Sequence, residues 1–174
     1  MKYLVKFFVV TSLYLICTYA FAEQKIAYID MKYILNNSKA GKGAQDFLKK
    51  SFSDNQKRLA EKEKNLKKEE NDLLSNKETL TKEEYKKKTD ELRKKVSAYQ
   101  AERRSVLEDL AKKRADAKNT LLTNIDPILK GYIADNGISL IVDKKHIIAG
   151  STDLDLTKII VEKLNKELPS LNLK

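Results

Sequence analysis

The strongest constraint in this chain is an apolar residue every seventh position. Phe52, Leu59, Leu66, Leu73 and Leu80 keep that interval, and Tyr85, Leu92, Tyr99 and Val106 resume it, interleaved with Val96 and Leu110. Such an interval lets helices lie along one another with one seam turned inward. From about Ala44 to Lys130 nearly every residue favours helix, with one break near 75–81 and no proline before Pro127. After the break, Thr81-Lys82-Glu83-Glu84 has the form of a capping box, with Thr81 as N-cap and Glu84 reaching back. The pattern predicts an α+β, mainly α chain: a long antiparallel helical hairpin, a coiled-coil-like arm, on a small β-containing oligomerisation body built by the two chain ends.

The two helices differ in seam quality. The outgoing one starts broad, with Phe47, Leu48 and Phe52, then thins to one leucine per heptad. Its other seam positions are polar: Asn55 or Gln56, Lys62 or Glu63, Glu69 or Glu70. A full coiled-coil seam carries two apolar residues per heptad, so this helix is expected to hold its partner loosely. At 1.5 Å per residue a helix from Ala44 to about Glu78 is roughly 50 Å long, too long for a compact domain to enclose.

The N-terminus is of another kind. Lys2 and Lys6 precede an apolar run from Phe7 to Phe21, which closes as Ala20-Phe21-Ala22. This is the form of a secretory signal peptide spanning residues 1–22. The run is short of the roughly 20 residues that a membrane span needs. Cys17 is the sole cysteine and would leave with that segment; large Ile16 before it argues against a lipoprotein site. A thiol-free exported chain suits an oxidising compartment. Of 35 basic residues 33 would remain, against 25 acidic, a net charge of +8. Residues 49–114 hold 21 basic and 14 acidic groups, whereas 115–174 hold eight of each. The hairpin is therefore the positive element, able to attract anionic partners over a Debye length of ~8 Å at physiological salt.

The expected division is residues 23–43 and 115–174 as body, and 44–114 as arm with its tip near 75–81. Lys25 to Asp30 reads as a strand, and Asp30 can cap the turn from Met31 to Leu35. Ser38 opens a helical segment in which Gly41 and Gly43 suit close backbone packing. A kink is expected at Pro127, with helix resuming to Asp135 and stopping at Asn136-Gly137. Ile138–Asp143 reads as a strand, and His146–Gly150 as its hairpin partner after a tight Lys144-Lys145 turn. Asp153 or Asp155 is placed to cap a last helix from Leu156 to Leu168.

Little here suits catalysis. His146 is the only histidine and has no nucleophile context, and it is expected to be an exposed strand residue. The carboxylates sit among lysines, not in apolar settings that would tune them for acid–base work. There is no metal-spaced cluster, so neither catalytic residues nor a metal or cofactor is expected, and the chain reads as a non-enzyme. Ser38–Gly43 lacks the early glycine and the hydroxyl residue of a phosphate loop.

What remains is a basic arm with sparse apolar residues. The candidate client-contact residues are Leu59, Leu66, Leu73, Leu80, Tyr85 and Tyr99, with Lys86, Lys87 and Arg93. Leu66, Leu73, Leu92 and Val96 better suit simple zipping of the two helices. Nucleic acid would match the basic charge but not an export signal. One strand, one hairpin and a short helix are too little to close a core alone, and their open edges call for association. Ile26, Tyr28, Leu140, Val142 and Ile147 are the candidate interface residues.

The ordered set Ile26-Ala27-Tyr28-Ile29-Asp30, Ile34-Leu35, Ser38-Lys39-Ala40-Gly41-Lys42, a charged hairpin, Gly137–Asp143 and Asp155-Leu156-Thr157 resembles the Skp (OmpH-like) family of periplasmic chaperones. That resemblance implies a homotrimer whose arms surround a cavity. It also implies a periplasmic, ATP-independent holdase for unfolded outer-membrane β-barrel proteins. An anionic lipid or lipopolysaccharide surface is a further partner that the positive charge admits. The competing reading is an envelope scaffold without clients.

Overall fold

The computed structural model describes residues 24–173, so the signal segment read from residues 1–22 lies outside it. Strand β1 spans Lys25–Ile29 and helix α1 Met31–Asn37. Helices α2 (Lys39–Ser75) and α3 (Lys82–Asn136) form the hairpin. Strand β2 (Ile138–Asp143) and helix α4 (Thr157–Glu167) complete the order. At 1.5 Å per residue, the 37 residues of α2 and 55 of α3 measure about 55 and 80 Å.

Local signals set the helix ends. The Asp30 carboxylate accepts from the Tyr33 amide, starting α1. Ser38, wholly buried, accepts from the Gly41 amide, and Asn165 of α4 accepts from the Lys39 amide at 2.6 Å. The capping box at Thr81 is complete. Gly137, at φ 62°, takes the left-handed conformation that stops α3. The long helix starts at Lys39, five residues before the sequence-based start, because the Ser38 cap carries straight through both glycines. Gly41 sits where a Cβ would lie 2.0 Å from the Leu35 carbonyl oxygen, whereas Gly43 faces open space.

Pro127 neither ends nor restarts α3, which runs through it as one helix. Its flanking residues Ile125 and Ile128 are buried, and this packing holds the helix where a backbone bond is missing.

The expected β-hairpin does not form. β2 pairs in parallel with β1, Ile26 opposite Leu140 and Tyr28 opposite Val142. The expected turn Lys144-Lys145 offers no Gly, Asn or Asp for the positive φ that two-residue hairpins need. The Asp143 side chain instead accepts from the Lys145 amide and closes a 3₁₀ turn over Lys144–His146. His146 is thus exposed on a turn, not on a strand. The far edge of β1 is met by Asp155, and the Leu156 amide donates to the Tyr28 carbonyl at 2.9 Å.

The body does close a small core, contrary to the expectation from its few elements. Ala27, Ile29, Ile34, Ala40, Leu121, Ile125, Ile128, Leu156, Ile160 and Leu164 form one buried cluster. The difference is supplied by the roots of the two arm helices, which lend Ala40 and the Leu121–Ile128 face to it. Leu156 occupies the N-cap position of α4, and the Asp155 carboxylate accepts from the Thr157 amide just behind it.

Candidate functional site

Beyond the body the hairpin stands free. No residue between Ala44 and Ala117 is buried. Leu59, Leu66, Leu73, Leu80, Tyr85 and Tyr99 are half-buried along the seam, while Lys86, Lys87 and Arg93 are exposed. Leu73 and Leu92 line clefts on both sides of the hairpin, which places them at the contact itself. Leu74, Phe52 and Leu107 are large apolar side chains left at least half exposed on the arm.

The polar positions of the thin seam have partners across it. Glu102 of α3 pairs with Arg58 and, at 2.6 Å, with Lys62 of α2. Lys95 meets Glu69 at 2.6 Å, and the Tyr99 hydroxyl donates to Glu63 at 3.2 Å. Glu63 also holds Lys67 at 2.8 Å. These contacts stand where a second apolar residue per heptad is lacking. The Lys62 and Arg58 hydrogen bonds hold the Glu102 carboxyl below its usual range. Lys67 and then Tyr99 do the same for Glu63, and the Thr81 amide and hydroxyl for Glu84. Sequence reasoning missed these cross-links. The signal was present in the opposite charges of Lys62 and Glu69 against Glu102 and Lys95, both at seven-residue spacing.

Between the helices lies a cleft of about 650 Å³ with Leu66, Leu73, Leu92 and Val96 in its walls. Tyr85, Tyr99 and Arg93 line it too, so it gathers several of the sequence-based contact residues. Leu80 lines the opposite cleft, and neither cleft includes Leu59, Lys86 or Lys87.

The body presents a second surface. Ile26 and Leu140 are register partners and about half exposed, at 48% and 52%. Val142 and Ile147 are half-buried. Tyr28 is buried within its own chain, with the Lys144 ammonium 5.8 Å from its ring centre and Gly150 beside it. Ile148 on the following loop is fully exposed. Among the described residues no cluster of His, Cys, Asp or Glu could hold a metal ion, and no helix is long and apolar enough to cross a membrane.

Against known proteins, no curated sequence matches significantly. A crystal structure from Caulobacter crescentus CB15, classed there as an OmpH-like outer membrane chaperone, has the same fold with a TM-score of 0.81. The two share 16% identity over 90% of this chain and 93% of that one. The family of outer membrane proteins (OmpH-like) matches residues 25–164, from the first strand to the last helix, and the chain belongs to that family.

Proposed function

We propose that this protein is an ATP-independent periplasmic holdase that binds unfolded outer-membrane β-barrel proteins and keeps them from aggregating in transit. The observation that carries this is the free-standing arm: some 70 residues with none buried, a net positive charge and exposed Phe52, Leu74 and Leu107. Membership of a family that includes an OmpH-like outer membrane chaperone supports the same reading. Residues 44–114 act as the arm, and 23–43 with 115–174 as the body. Copies associate through the outer face of the sheet, where Ile26 and Leu140 are exposed together, and the family resemblance argues for three. Many weak contacts on linked arms then add up on one long client, so no nucleotide cycle is needed.

The test is light scattering of an unfolded porin diluted from urea, with and without the mature protein. Suppressed scattering is expected. Equal aggregation in both would remove the holdase reading and leave an envelope scaffold. Ile26→Asp with Leu140→Asp is expected to lower the mass in solution to that of one chain.

A further inference from the structure

We propose that each arm carries its own client slot: the cleft between α2 and α3 takes a short extended client segment with alternating apolar and acidic side chains. This rests on the holdase reading and says where in the arm an apolar client residue goes. The geometry has three parts. The cleft walls are apolar, with Leu66 and Leu73 on one helix facing Leu92 and Val96 on the other. Two of its apolar groups remain open to solvent, Val96 at 37% and Leu74 at 57% exposure, so the slot is formed but unfilled. From Leu66 to Leu74 it runs about 12 Å along the helix, the length of about four residues of extended chain. Such a stretch turns two side chains toward the cleft and two away.

The rim sets the charge of the occupant. Lys67, Arg93 and Arg103 line the cleft with Glu63 and Glu70. Glu63 is already held by Lys67 and by the Tyr99 hydroxyl. Arg103 makes no ion pair within 4 Å among the described residues and acts on Glu63 only at longer range, as the least of the influences on that carboxyl. Arg93 has only a 3.5 Å contact to Asp90 on its own helix. Both guanidinium groups are therefore available to carboxylates beside an apolar anchor, in the bidentate geometry arginine favours. A β-strand of a membrane barrel alternates apolar and polar residues, so an unfolded one offers apolar anchors at this spacing, and those of its polar positions that are Asp or Glu meet the arginines.

The experiment compares Val96→Lys, inside the slot, with Leu107→Lys, a more exposed apolar site outside it (54% against 37%), in binding of a fluorescent unfolded porin. Circular dichroism confirms that helix content is retained. Val96→Lys is expected to weaken binding about tenfold and Leu107→Lys less than about twofold. Equal losses would overturn the slot while leaving the holdase reading in place; no binding by the unmodified protein would remove both. Should Val96→Lys lose helix, Val96→Cys and Leu107→Cys carrying a photo-crosslinker decide. Capture of client at position 96 well above position 107 supports the slot, and equal capture overturns it. In competition, a ten-residue peptide alternating Leu with Glu is expected to displace porin at a concentration at least fivefold lower than one alternating Leu with Lys. Equal potency would overturn the charge assignment. If Val96→Lys alters the mass in solution and not client affinity, the slot is a contact between copies and the proposal fails.

Discussion

The Thr157 hydroxyl accepts a hydrogen bond from the Asp30 amide at 2.8 Å, joining residues 127 apart in sequence. Thr157 is buried, and its amide donates to Asp155, so one residue ties the end of β1 to the start of α4. Burial raises the Asp155 carboxyl, its largest single influence, but the Thr157 contacts and Lys144 together outweigh it and hold the group below the ordinary 3.8. Thr157→Val keeps the shape and removes the acceptor. It should cost about 1–3 kcal/mol, because the Asp30 amide loses its partner in a part-buried setting. Urea unfolding of the mature protein followed by circular dichroism measures the loss, which would be absent if water replaces the hydroxyl without penalty.

The paired glycines of α2 predict opposite responses. At Gly41 a methyl group would lie 2.0 Å from the Leu35 carbonyl oxygen, a backbone atom that cannot swing aside. Gly41→Ala should therefore force α1 away from α2 and destabilise by about 2 kcal/mol or more. At Gly43 nothing lies within 4 Å, so Gly43→Ala should stabilise the exposed helix by about 0.5–1 kcal/mol. Thermal melts of the two variants need only differ in sign from the parent to decide this; two shifts in the same direction would contradict the packing described.

Features legible in the sequence were those whose signal is local. The seven-residue recurrence exposed the hairpin, Thr81 and Glu84 fixed the start of its return helix, and Asn136-Gly137 fixed the stop. Three features needed partners distant in sequence. Parallel pairing of Ile26 with Leu140 joins strands separated by the whole arm, so no turn between them announces it. The alternation across His146–Gly150 suggested a strand, but Gly150 instead lies beside the Tyr28 ring and the Ile147 side chain. Glu102 found Lys62 only through the antiparallel register of two long helices, which the turn at residues 76–81 sets. The oligomer and the client contacts join surfaces of more than one chain, which no local pattern encodes.

Pro127 is exposed within an unbroken helix, and lacking an amide hydrogen it leaves the Thr123 carbonyl without its usual donor. An interior proline costs ~3 kcal/mol or more, part of which buried Ile125 and Ile128 offset. Pro127→Ala should restore the backbone bond and stabilise the body by about 1–3 kcal/mol. Slower amide exchange along residues 120–131 would accompany the gain. Unchanged exchange there would mean that α3 is not strained at this point.

Acid and salt should loosen the arm before they unfold the body. Glu63, Glu84 and Glu102 all have carboxyls held below the ordinary 4.5 by Lys67, Thr81 and the Lys62–Arg58 pair respectively. A depressed carboxyl stabilises the folded form fully above its ordinary value, and the contribution disappears as pH falls through the lowered one. Helical signal should thus hold from neutral pH to about 4.5 and then decline. Glu102→Gln removes the anchor for both Lys62 and Arg58, so its acid decline should be smaller and start from a looser arm. Salt at 1 M cuts the Debye length to about 3 Å and should mimic the substitution at neutral pH, since these pairs are largely solvent-exposed. Circular dichroism against pH and salt for both proteins tests this. Superimposable curves would mean that the leucine seam alone holds the hairpin, and the cross-helix pairs would then be passengers on it.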